Sequence, residues 1–133
     1  MRKETLFAAI APSIGINKIN DRLMYCNDSG DIYNDVNCND CIFCSSCGVI
    51  PEEQLILKKI LWLKQHWKEW DCRTEVLNYA KVHVGVDARN NKELFDCYEA
   101  RCAACANCKF NETIPWCSHK EKEKFFSQFL EEV

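Results

Sequence analysis

Glycine and proline are scarce in this chain: four and three residues among 133. With so few glycines, none stands in a phosphate-cradling G-x-x-x-x-G-K or dinucleotide-binding G-x-G-x-x-G setting. Histidine is equally thin, with three residues. There is no H-E-x-x-H, no H-x-E paired with a later P-C-x-x-C, and no G-x-S-x-G. A zincin, a zinc deaminase and an α/β-hydrolase nucleophile are thereby excluded, and the sequence points to a non-catalytic protein. No apolar run approaches the ~18 residues of a membrane span. The start, MRKETLFAAIAP, is basic, but Glu4 interrupts it, and Leu6 to Ala11 is too short for a signal's apolar core. These absences imply a cytoplasmic protein with reduced thiols.

Charge of one sign is missing too. The formal net charge is −3, and acids and bases are mixed along the chain. Between residues 52 and 71, Glu52, Glu53, Glu69 and Asp71 face Lys58, Lys59, Lys64 and Lys68. No basic stripe exists to neutralise phosphates, the main source of nucleic-acid affinity. A protein partner is the better expectation.

Cysteine is what the chain has in excess, with eleven residues. They come in two bursts. CNDCIFCSSCG places Cys38, Cys41, Cys44 and Cys47 at a spacing of three, with Cys26 upstream. CYEARCAACANC adds Cys97, Cys102, Cys105 and Cys108, followed by Cys117 and His119 in PWCSH. C-x-x-C supplies two sulfur ligands from one tight turn, and zinc needs four N or S ligands in a tetrahedron. Two zinc sites follow: Cys38, Cys41, Cys44 and Cys47 form one, and Cys105, Cys108, Cys117 and His119 the other. Cys26, Cys97 and Cys102 are substitutes. Cys72 is left over, as a half-buried thiol.

CIFCSSC and CAACANC also resemble the cluster loops of bacterial ferredoxins, which implies a [4Fe–4S] cluster and a redox or electron-transfer role. The ferredoxin pattern goes on to x-x-x-C-P, which neither loop does. Disulfides rank third, since the count is odd and close C-x-x-C pairs favour a shared metal. The pattern C-x-N-C-K-F…P-W-C is similar to zinc knuckles of small bacterial and phage proteins, which implies a phage or mobile-element type factor. The leading expectation is a small zinc-finger-like interaction or regulatory protein acting on a larger protein or nucleoprotein complex. An iron–sulfur protein and a zinc-dependent nucleic-acid binder are the alternatives.

The expected fold is mainly α with short β segments, a single domain over residues 1–133. Residues 6–10 start a short helix, and a helical turn is expected over 16–24. Residues 26–50 read as loop and metal knuckles. PEEQLILKKILWLKQHWKEW, residues 51–70, is the expected central helix. Pro51 opens it, Glu52 and Glu53 suit its dipole, and Ile56, Ile60, Leu63, Trp67 and Trp70 form one stripe. Trp62 and Trp70 are candidate partner-binding residues. Residues 73–86 begin helical and end in an alternating run of Val82, Val84 and Val86, with His83 inside it. A short helix is expected over 91–100, within the second metal region of 97–119. An amphipathic helix is expected over 120–133, with Phe125, Phe126, Phe129, Leu130 and Val133 on one face. The two bursts repeat the cysteine motif only; the residues around them do not match.

Overall fold

The structure, a computed structural model, describes residues 2–26, 35–90, 93–97, 106–113 and 116–131. The architecture is mixed, with helix outweighing short strands. Helix α1 (Lys3–Ile10) runs on through a 3-10 turn at Ala11–Ser13. Strands β1 (Ile14–Ile16) and β2 (Leu23–Cys26) pair antiparallel, with Gly15 opposite Met24. Strand β3 (Asp35–Val36) joins β2 in parallel, and a 3-10 turn covers Cys38–Asp40. Helix α2 (Glu52–His66) follows. The second half comprises α3 (Trp70–His83), the antiparallel pair β4 (Val84–Val86) and β5 (Leu94–Asp96), the antiparallel pair β6 (Asn111–Thr113) and β7 (Trp116–Cys117), and α4 (His119–Phe126).

Several expectations change. The central helix stops at His66, and a second begins at Trp70. The break lets Trp67 turn inward, to 1% exposure, where its ring meets Phe7 edge-on at 5.1 Å. The inward stripe of α2 is rotated accordingly. Lys59, Trp62 and Leu63 are buried, Ile56 and Ile60 are half-buried, and Leu57 and Leu61 are exposed. Residues 16–24 form a hairpin instead of a helical turn. Asn17 Oδ1 accepts from Ile19 N, Asn20 Oδ1 accepts from Arg22 N, and Asp21 takes a φ of 56°. Such side-chain turns compete with helix for the same backbone donors. Val82 and His83 remain in α3, so the strand begins only at Val84.

Further along, residues 94–96 are strand where a helix was expected; 91–92 and 98–100 lie outside the described residues. The C-terminal helix starts at His119 because Ser118 caps it, accepting from Glu121 N, and it tightens to a 3-10 turn at Ser127–Glu131. Phe126 and Phe129 are fully buried and Phe125 and Leu130 half-buried, as the amphipathic pattern requires, while Val133 lies outside the described residues.

The two halves follow one plan. Both helices that open a half, α1 and α3, feed a strand with glycine at its centre: Ile14-Gly15-Ile16 and Val84-Gly85-Val86. Leu6, Phe7, Ile10, Ile14 and Ile16 in the first half match Val76, Leu77, Ala80, Val84 and Val86 in the second at one constant offset, and all are buried. The turn after each strand is built alike. Asn17 N donates to Arg22 O at 2.9 Å, and Asp87 N donates to Glu93 O at 3.0 Å. Asn17 Oδ1 accepts from Ile19 N, as Asp87 Oδ1 accepts from Arg89 N. Then a cysteine pairs back onto that turn: Cys41 opposite Asn17, and Cys108 opposite Asp87. The flanking hydrogen bonds coincide as well. Ile42 N donates to Ile16 O and Lys109 N to Val86 O; Lys18 N donates to Asp40 O and Ala88 N to Asn107 O. The similarity around the cysteines is therefore wider than the motif alone: CNDCIFC (38–44) answers to CANCKFN (105–111), with Phe43 and Phe110 both buried.

The halves interlock. Within each half the opening helix packs on the closing one, α1 on α2 and α3 on α4. Across the halves, α1 packs on β5 and α3 on β2. Two polar contacts sit on the second crossing and beside it. Tyr25 Oη on β2 lies 2.6 Å from His83 Nε2 on α3, and Tyr79 Oη donates to Asp96 Oδ2 at 2.6 Å. Burial, together with the hydrogen bond to the carboxylate of Asp96, pushes the Tyr79 phenol strongly upward, so it stays a donor. One continuous apolar core runs through both halves, from Leu6 to Phe129.

Candidate metal centre

Between β2, the turns at 41–47 and α2 lies a cavity of about 40 Å³. Among the described residues its wall carries four thiols, Cys26, Cys41, Cys44 and Cys47, with Val36, Phe43 and Leu55 as apolar lining and Lys59 as the charged residue. Each thiol is placed by local structure. Cys26 ends β2, and its thiol donates to Ile14 O at 3.2 Å. Cys41 is held by its pairing with Asn17, directly over Gly15. A Cβ at Gly15 would stand 2.6 Å from Val36 Cγ1 and 3.2 Å from the Cys41 sulfur, so only glycine lets that sulfur come so near the sheet.

Successive tight turns then bring Cys44 and Cys47 round. Cys44 N donates to Cys41 O at 3.0 Å, and Cys47 N to Phe43 O at 2.9 Å. Gly48 takes a φ of +79°, the left-handed conformation that turns the chain out toward Pro51. Cys26 and Cys41 are half-buried, while Cys44 and Cys47 are exposed, so the centre opens to solvent on one side.

Lys59 was not legible as part of this site. It is 6% exposed, with Nζ 3.7 Å from the Cys26 sulfur and 6.0 Å from the Phe43 ring centre. A buried ammonium is costly unless a polar or opposite-charged group meets it, and the Cys26 sulfur is the group that Lys59 Nζ meets here. The only available signal was a lysine on the inward stripe of an apolar helix.

Thiols are the donor type that a thiophilic ion takes. A tetrahedral zinc would need the four sulfurs about 3.8 Å apart. Among the described residues, no three His, Cys, Asp or Glu side chains are grouped closely enough to hold one ion. The sulfurs ring the cavity instead of meeting at a point.

The other expected ligands are distributed as follows. Cys38 lies in the 3-10 turn of 38–40, Cys117 in β7 and His119 at the first position of α4; their side chains are outside the description. Cys108 is buried and Cys97 half-buried just after β5. Cys102 and Cys105 lie outside the described residues. Of the two candidate partner-binding tryptophans, Trp62 belongs to the core at 9% exposure, where it stacks on His66 and borders a cleft with Glu69 and Asp71. Trp70 remains 62% exposed.

Cys72, on the first turn of α3, is buried more deeply than expected. Burial pushes its thiol up to about 12, with Glu69 and Glu75 adding repulsion against a partial offset by Arg73. A thiol so raised is protonated at neutral pH and is a poor nucleophile. In the folded protein at pH 8, iodoacetamide should therefore modify Cys72 last, if at all; mass mapping that finds it modified early would contradict its burial. The linkage has one sign. The folded state holds this proton more tightly than the unfolded chain, so the contribution is complete below the ordinary value near 9 and declines as pH rises toward 12.

Comparison with known protein families, with curated proteins and with solved structures finds no match for this chain.

Proposed function

We propose that this chain is a non-catalytic, zinc-stapled protein that docks on a larger protein assembly in a reducing compartment. The observation that carries the metal reading is the cavity ringed by Cys26, Cys41, Cys44 and Cys47 with Lys59 buried beside it. Four thiolates around a divalent zinc leave a net charge of about −2, which a neighbouring ammonium offsets. The staple has a structural task. It would tie the hairpin, the turn segment and α2 together in a chain whose strands are only two to four residues long.

Docking on protein is favoured by the surface. Leu57 and Leu61, one turn apart on α2, are 64% and 54% exposed, and Val49 and Trp70 stand exposed as well. A cleft of about 380 Å³ carries, among the described residues, Asp21, Glu69, Asp71 and Glu75 against Arg22, a balance that repels phosphate. Among the described residues no helix is long and apolar enough to cross a membrane.

A second reading, a [4Fe–4S] protein with an electron-transfer role, has one observation in its favour. Cys41, Cys44 and Cys47 with remote Cys26 reproduce the C-x-x-C-x-x-C plus one arrangement of such clusters, around a cavity and not a point. Elemental analysis of protein purified without air, with its absorption spectrum, decides between them. Zinc in a colourless sample supports the staple. Iron and sulfide with a brown colour near 400 nm establish the cluster. A folded protein free of both metals refutes the metal reading.

A further inference from the structure

We infer that the second half holds its own thiolate metal site, built like the first, with Cys97 and Cys108 in the places of Cys26 and Cys41. This rests on reading the first cavity as a metal centre. Cys26 ends the strand Leu-Met-Tyr-Cys; Cys97 follows directly on Leu-Phe-Asp. Each strand pairs with the glycine-centred strand before it. Cys41 and Cys108 pair with Asn17 and Asp87, with the same flanking hydrogen bonds. The two cysteines that frame the first centre thus have counterparts on the same backbone framework.

The third ligand follows from the strands. In the first half, Cys44 N donates to Cys41 O; in the second, Asn111 N donates to Cys108 O. Asn111 therefore stands where Cys44 does, and asparagine cannot replace a thiolate. Its cross-strand partner is Cys117, brought there by the extra pair β6 and β7. Cys117 thus stands beside the position of the missing Cys44. The same register places His119 at the position of Glu52, the exposed first residue of α2, which does not line the first cavity. The site that the sequence alone built on His119 is thus recentred on Cys97.

Charge supplies an independent observation. Lys122 on α4 is 1% exposed, and no ion pair among the described residues includes its ammonium. Its counterpart in the register is Leu55, which lines the first cavity one turn from Lys59. Each closing helix therefore buries one lysine, Lys59 on α2 and Lys122 on α4. A buried ammonium requires a negative group, and a thiolate–metal centre supplies one.

The test is metal content per full-length chain, purified with zinc, for the parent and for Cys97→Ser, Cys97→His and His119→Ala, followed by Co²⁺ substitution. The parent should hold two sites' worth of metal, Cys97→Ser one and His119→Ala two. Cys97→His should keep two, with the cobalt ligand-field bands shifted by exchange of a sulfur for a nitrogen. If Cys97→Ser fails to fold, the Cys97→His spectrum and the His119→Ala content decide alone. An unshifted cobalt spectrum in Cys97→His, or loss of one site's metal in His119→Ala, overturns the assignment. A parent that binds no metal refutes the reading of the first cavity. A parent whose content is untouched by Cys97→Ser refutes only the second site.

Discussion

Trp67→Ala should lower the unfolding free energy by about 3–5 kcal/mol, the usual cost of truncating a buried tryptophan. Trp67 is 1% exposed and lies at the joint where α2 ends and α3 begins. Its ring meets Phe7 at 5.1 Å and 68°, which fixes α1 against that joint. Truncation leaves a void at the meeting of three helices, where closure would require moving α1 away from β5, on which it also packs. For a domain of ordinary stability, about 5–15 kcal/mol, this is a large share. Denaturant titration measures it, and metal content per folded molecule should be unchanged, because Trp67 does not line the cysteine cavity. A variant as stable as the parent would show that the joint is not a packing centre.

Cys41→Ser should do more damage still. A structural zinc contributes on the order of 10 kcal/mol to folding, comparable with the whole stability of a small domain. Cys41 is where the proposed metal would reach the sheet: its residue pairs with Asn17, and its sulfur lies over Gly15. The variant should lose one site's metal. Amide exchange should accelerate across β1, β2 and the start of α2, since Ile42 N bonds to Ile16 O in that hairpin. α3 and α4 should keep more protection, because they pack on each other in the other half. Measurement is by metal quantification and hydrogen exchange on the same sample. Unchanged protection in β1 and β2, with metal lost, would mean that the metal does not staple the hairpin.

Much of the helical half of the fold was readable because its signals are local. Pro51 with Glu52 and Glu53 marks a helix start, and α2 begins at Glu52. Phe126 and Phe129 were legible as inward residues from spacing alone. The C-terminal helix was expected from Lys120 and begins one residue earlier, at His119, because Ser118 Oγ accepts from Glu121 N. The strands were not legible in this way. Three-residue strands such as Ile14–Ile16 carry too little periodicity to separate from helix, and Asn17 and Asn20 set the hairpin through single hydrogen bonds. Helix ends were also hidden. Trp67 and Trp70 share a helical spacing, yet one faces the core and the other solvent, because the chain breaks between them.

By itself the sequence determined the chemistry: eleven cysteines, C-x-x-C spacings that define tight sulfur turns, mixed charge that disfavours phosphate, and apolar stretches that must be buried. Those properties belong to side chains and their near neighbours along the chain. Tertiary structure decided which sulfurs share a cavity and which residues of the two halves are equivalent. Cys26 reaches Cys41 only because β2 folds back on β1, and Lys59 reaches Cys26 only because α2 packs over that hairpin. The duplicated plan was obscured because the connecting lengths differ between the halves, so the constant offset that holds from Leu6 and Val76 to Asn17 and Asp87 is lost before Cys41 and Cys108. Backbone pairing restores it, since the same hydrogen bonds onto each glycine-centred strand put Cys41 and Cys108 in the same place.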